Sequence, residues 1–178
     1  PGFHPMAEGI AIEAIRMICR WLPVAVAEPD NLEGRGNMLV AASMGATAFQ
    51  KGLGSIHSIS HVLGALYNTH HGLANAIILP YGIKQNMPVT AAKLTHLATV
   101  LGLADASPDG FLNYIVEFRQ QLGIPNTLAE VGIDESRAVE IGKLALQDPT
   151  AATNAKPLTA SDLENLFRAA VAGSLGQL

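Results

Sequence analysis

Apolar side chains recur every three or four residues along almost the whole chain, and each run is bounded by residues that start or stop a helix. From Met6 to Leu22 the repeat is carried by Ile10, Ala14, Ile15, Met17, Ile18, Trp21 and Leu22, and Pro23 is expected to end it. Asp30 and Glu33 have the spacing of a capping box, which opens a second helix to about Gln50. The later half of that helix, AASMGATAF, is built of small residues that permit close approach, which predicts a central position. Ile56 to Tyr67 forms a third helix. Gly72 to Gln85 follows with a kink or restart at Pro80, and Met87 to Leu101 carries another helical pattern. Ser107 as N-cap and Pro108 at the first helical position begin a helix that ends at Gly123. Asp134 to Gln147 is amphipathic through Ala138, Ile141, Leu144 and Ala145. Thr159 to Asp162 caps a last helix through Leu163, Leu166, Phe167 and Ala170. Only DPTAATNAKPLT, residues 148–159, reads as irregular, and no run reads convincingly as a strand. The fold class is therefore all-α, a multi-helix bundle in one domain over residues 1–178.

Composition narrows the partners of such a bundle. The chain has 178 residues, 49% hydrophobic and 15% charged, and a mean hydropathy of +0.27. Much of its surface is thus expected to be buried or covered by another body, either a partner or a second copy in a homo-oligomer. A formal net charge of −4, with Lys and Arg scattered, gives no footprint for nucleic acid. The single cysteine, Cys19, excludes an internal disulfide framework and a Cys-rich metal site, suits a reducing cytoplasm, and is expected to pack on a helix face. No apolar run reaches the roughly 18 residues of a membrane span, and no secretory leader is visible, so no membrane partner is expected. Pro1 cannot be an initiator, which leads to the expectation of a processed or excerpted chain.

Four of the six histidines fall in GSIHSISHVLGALYNTHHG, residues 54–72. On a helix, Ile59, Leu63 and Leu66 share one face while His57, His61 and Gly64 share the opposite one. His57 and His61 stand one turn apart, a spacing that lets two ring nitrogens converge on a metal or a substrate but is often just that of two solvated or hydrogen-bonded imidazoles. Gly64 leaves room for close approach, and His71, beyond the Asn68-Thr69 turn, can return to the same place. His4, His96 and His70 are expected to be surface or packing residues. Three imidazoles suit zinc, iron, nickel or cobalt, and a carboxylate would complete a catalytic shell. No Asp or Glu occurs between Gln50 and Pro88, and the nearest, Glu8 and Glu13, read as an ordinary exposed face.

The run FQKGLGSIHSISHVLGALYNTHHGLANAIILP, residues 49–80, with PGFHPMAEGIAIEAIR at the start and TNAKPLT near the end, resembles the iron-containing (group III) alcohol dehydrogenases. The resemblance covers essentially the whole chain. It implies the C-terminal helical domain of a two-domain, dehydroquinate synthase-like enzyme. It also implies that His57 and His71 are metal ligands, and that His61 lies beside the nicotinamide and substrate as a catalytic and cofactor-contacting residue. The family's other two ligands, an aspartate and a histidine four residues later, would lie upstream of the segment matching Pro1. Its nucleotide-binding domain, with a glycine-rich turn after a strand, has no counterpart here. Ala155 and His70 stand where the family commonly has proline.

Two functions are consistent with these residues. One is the C-terminal domain of a metal-dependent alcohol dehydrogenase, with iron first by resemblance and zinc, nickel or cobalt as alternatives. It would use NAD or NADP to interconvert a small alcohol and an aldehyde or ketone, and be inactive without its N-terminal domain. The other is a naturally truncated helical assembly or binding protein, covered by a second copy, whose histidines are vestigial.

Overall fold

The computed structural model of the protein describes residues 3–178, so Pro1 and Gly2 lie outside it. Seven α-helices follow one another: α1 (Pro5–Ala27), α2 (Leu32–Ala48), α3 (Ser55–Tyr67), α4 (His71–Val100), α5 (Pro108–Gln121), α6 (Ala138–Gln147) and α7 (Ala160–Ala172). Short 3-10 turns at Phe49–Lys51, Ala129–Val131 and Pro149–Thr153 join them, and no strand occurs among the described residues. Among the same residues no helix is long and apolar enough to cross a membrane.

Local chemistry sets most boundaries. The Ser107 side chain accepts from Gly110 N at 2.9 Å to open α5, and Thr159 and Asp162 form the reciprocal capping box of α7. Asn68, at φ 53°, turns α3 off in the left-handed region. At α2 the cap is Asn31, whose Oδ1 accepts from Gly34 N at 2.9 Å, so the Asp30 box does not form. The chain over 134–137 is spent on a turn in which Asp134 Oδ1 accepts from Ser136 N, so α6 begins at Ala138.

Neither the expected stop at Pro23 nor a restart at Pro80 occurs. Pro23 lies inside α1, and Pro80 and Pro88 both lie inside a single α4 of 30 residues. A proline removes one backbone donor, but the residues beyond it still close their own turns when packing holds them. At Pro80 the packing is substantial. That proline is fully buried on the same helix as the core residues Ile77, Ile78 and Tyr81, and the Arg119 guanidinium donates to the Ile77 carbonyl at 2.9 Å in the preceding turn.

The main core joins Ile59 and Leu63 of α3, Ile77, Ile78 and Tyr81 of α4, Ile141 of α6, and Leu163, Leu166 and Phe167 of α7. Each such side chain contributes about 1.5–3 kcal/mol on burial. A second cluster, Leu94, Ala98, Phe111 and Ile115, fastens α5 to the far end of α4. The small-residue half of α2 is not central. Only Gly34 and Ala41 of α2, and Ala7 and Ala14 of α1, are buried, and the two helices pair as a peripheral hairpin. Glu8 ties it to the body through Lys93 at 2.9 Å. Cys19 lies half-buried beside Tyr114 of α5, and burial pushes its thiol pKa up, which leaves it a packing group.

Candidate functional site

Helix α3 is central, and its two faces do different work. Ser55, Ser58, Ile59, Ser60, Val62 and Leu63 are buried, while His57 is half-buried and His61 exposed. The turn at Asn68–His70 brings His71, the first residue of α4, back against them. The ring centroids of His57 and His71 are 5.4 Å apart, those of His61 and His71 5.3 Å apart and nearly parallel, and those of His57 and His61 6.0 Å apart. His70 faces away and caps α4, its Nδ1 accepting from Leu73 N. His4 caps α1 in the same manner, and His96 is exposed.

Hydrogen bonds sort the three clustered rings. Ser60 Oγ donates to the His57 carbonyl at 3.3 Å, so toward His71 it can only accept. Asn75 Nδ2, a donor only, lies 3.0 Å from His71 Nε2, so that nitrogen keeps its lone pair and the neutral ring carries its proton on Nδ1, 3.2 Å from Ser60 Oγ. That Nε2 and the Nε2 of His57 both lie within reach of one atom, Asn75 Nδ2, at 3.0 and 3.4 Å. Burial, then the nearness of His71 and His61, lowers the His57 pKa and favours the neutral, lone-pair-bearing form.

His61 is held differently. Its Nδ1 is 2.9 Å from Asp148 Oδ2. The other oxygen, Oδ1, accepts from Thr150 N at 2.9 Å and from Thr150 Oγ1 at 2.5 Å. Burial raises the Asp148 pKa, but the bonds from Thr150 and His61 outweigh it and hold the carboxyl below its ordinary value. Asp148 was not singled out in the sequence because it sits 87 residues from His61, in the segment read as irregular. The single available signal was its Asp-Pro-Thr start, which is that of a capped turn. Glu8 and Glu13 play no part here: Glu8 pairs with Lys51 and Lys93, and Glu13 with Arg16.

The docking of residues 148–154 on the start of α3 depends on two glycines. Gly52 has φ 91°, and a Cβ there would fall 2.5 Å from Thr153 Cβ. A Cβ on Gly54 would fall 2.5 Å from Asn154 Oδ1, the atom that accepts from Ser55 N. Beside this junction lies a cavity of about 560 Å³ bordered by His57, Leu53, Ile56, Ile83, Asn86 and Asn154. His57 borders this cavity, while His61 and His71 are not among its lining residues.

Two imidazole lone pairs aimed at one polar atom are the donor chemistry of a divalent metal site, and on this point the residues fit such an ion. They fit it as part of a shell. Among the described residues no group of three or more His, Cys, Asp or Glu is arranged to hold a metal.

An all-helical domain with histidines gathered where two helices meet is the class that fold and site define. The family model described as Fe-containing alcohol dehydrogenase family, C-terminal, matches residues 3–171. The chain is 32% identical over 177 residues to a 1,3-propanediol dehydrogenase of Citrobacter freundii, covering 94% of this chain and 45% of that protein. It is 29% identical to an NAD-dependent methanol dehydrogenase of Bacillus methanolicus, covering 96% of this chain and 46% of the other. A crystal structure of 1,3-propanediol oxidoreductase superposes with a TM-score of 0.90 at 30% identity, over 94% of this chain and 46% of that one. An alcohol dehydrogenase from Oenococcus oeni gives a TM-score of 0.88 at 27% identity, over 94% and 45%. The chain belongs to the Fe-containing alcohol dehydrogenase family and corresponds to its C-terminal helical domain. It spans about half the length of the curated relatives it matches.

Proposed function

We propose that this chain is the metal- and substrate-bearing helical half of a dehydrogenase that interconverts a small alcohol and an aldehyde or ketone. The observation that carries the reading is the convergence of the His57 and His71 Nε2 atoms on a single point beside Asn75. His57 and His71 would hold the ion, iron first by family and zinc, nickel or cobalt by the same donor chemistry. An aspartate and a histidine from outside these 178 residues would complete the shell. When bound, the ion supplies Lewis acidity toward a substrate oxygen and NAD or NADP supplies hydride acceptance and donation. Ser60 orients His71, and the cavity beside His57 offers apolar walls at Leu53, Ile56 and Ile83 for the carbon skeleton. His61, exposed next to the ligands, contacts substrate and nicotinamide and passes a proton.

Titration of the chelator-treated chain with Co²⁺ tests this. We expect weak binding that is lost in both His57→Ala and His71→Ala. Binding that survives both substitutions overturns the assignment. The second reading, a helical assembly protein, draws on exposed Met6, Leu32, Leu39, Val40 and Phe49 of the α1–α2 hairpin and its adjoining turn. It requires self-association of the metal-free chain in the same preparation, with no metal bound at His57 and His71.

A further inference from the structure

We propose that Asp148 is a positioning residue that fixes His61 as its Nδ1–H tautomer and thereby reserves the Nε2 lone pair for the proton of a substrate hydroxyl. The inference rests on the alcohol dehydrogenase reading for the identity of the proton donor, and on this structure alone for the tautomer.

Three contacts carry it. A carboxylate is an acceptor only, so a ring nitrogen 2.9 Å from Asp148 Oδ2 must be the one bearing hydrogen. The carboxylate cannot turn away, because Oδ1 is occupied by the Thr150 amide and hydroxyl while the Asp148 backbone opens the 3-10 turn at Pro149. The ring cannot tilt freely, because its face lies against His71 at 5.3 Å and 15°. One edge and one face are thus fixed. The remaining edge, Nε2, takes no hydrogen bond from the described residues, and the side chain is 41% exposed.

A pair this exposed contributes little to stability, so a structural role alone explains it poorly. Its value is chemical. In alcohol oxidation the substrate O–H bond breaks, the oxygen keeps the electron pair, and the proton forms a new bond to Nε2. The imidazolium that results is stabilised by the same Asp148 carboxylate, and the reverse transfer returns the proton when a carbonyl is reduced. The arrangement also separates His61 from its neighbours: His57 and His71 converge on Asn75, whereas His61 is turned to a carboxylate on another element.

The test is long-range ¹H–¹⁵N correlation of the imidazoles in the ¹⁵N-labelled chain, at a pH where His61 is neutral. The expected wild-type signature is Nδ1–H. Asp148→Asn should invert it to Nε2–H, because a carboxamide held by the same turn presents N–H to Nδ1. Asp148→Ala should give predominantly Nε2–H, the form an unconstrained imidazole prefers. A wild-type Nε2–H tautomer, or one unchanged in both variants, overturns the proposal. The wild-type spectrum decides even where a variant folds poorly. Co²⁺ titration of the same samples separates the two readings. Expected tautomers with no metal bound leave the role of Asp148 on His61 standing and sink the metal site. Loss of metal binding in Asp148→Ala with an unchanged tautomer places Asp148 at the metal and overturns the proposal.

Discussion

Ser60 carries more of the site than a buried serine usually does. It is fully buried, spends its proton on the His57 carbonyl, and accepts from His71 Nδ1, so one hydroxyl links the backbone of one histidine to the ring of the other. Outer partners of this kind orient a ligand and raise its basicity, and their removal costs about 10–100-fold in metal affinity. Ser60→Ala keeps the Cβ and the helix but leaves the His71 N–H without its acceptor. We expect the Co²⁺ association constant of Ser60→Ala to fall by about that factor, with the circular dichroism spectrum unchanged. An unaltered isotherm would show that Ser60 is packing only. Asn75, by contrast, sits where both lone pairs point, and its Oδ1 is buried without a partner. Its amide is therefore the group that has most to gain from rearrangement when an ion is present.

At the scale of the element, the start of α7 shows how a local motif acts on a distant surface. Asp162 Oδ2 accepts from Thr159 N at 2.8 Å and from its hydroxyl at 2.6 Å, while Asp162 N donates to Thr159 Oγ1. The hydroxyl and amide of Thr159, assisted by Lys156, hold the Asp162 carboxyl below its usual value of 3.8. A depressed carboxyl contributes stability above its unfolded pKa, and that contribution is lost as pH falls through the lower folded value. The expected window is thus below about pH 4. Asp162→Asn should cost about 1 kcal/mol at neutral pH and flatten the loss of thermal stability in that acid window. Thermal unfolding of both chains across pH checks it, and parallel curves would refute it. Helix α7 matters for the site because Leu163, Leu166 and Phe167 hold α3 from behind, and α6, packed on α7, ends at the residue before Asp148. The two helices come close at Gly142, where any Cβ would fall 2.5 Å from the Ala160 carbonyl.

Across the whole molecule, burial is uneven. The helices α3, α4, α6 and α7 share one core, while α1 and α2 bury only four residues between them and keep Met6, Leu32, Leu39 and Val40 in contact with solvent. Segments with few buried apolar contacts open locally at lower free energy than the core. Native-state hydrogen exchange should show amides of 32–48 exchanging well before those of 56–66 and 163–171, with the two regions converging only under strongly denaturing conditions. Equal protection in both would mean that the hairpin is covered in solution.

The sequence by itself determined the all-helical class, the caps at Ser107 and Thr159, and the two faces of α3. These are local matters: a 3.6-residue repeat and a side chain bonding an amide three residues away need no distant partner. The return of His71 to His57 was legible for the same reason, since only a short turn separates their helices. Continuity of α4 through Pro80 and Pro88 was not legible, because the loss of a backbone donor is visible in the sequence while the packing that offsets it is not. Nor was the outer position of α2, whose small residues permit close approach without requiring it. The placement of Asp148 against His61 belongs wholly to the tertiary structure. It depends on the docking of 148–154 against Gly52 and Gly54 across about a hundred residues of chain, a contact made by shape and a few hydrogen bonds that leave no periodic trace in the sequence.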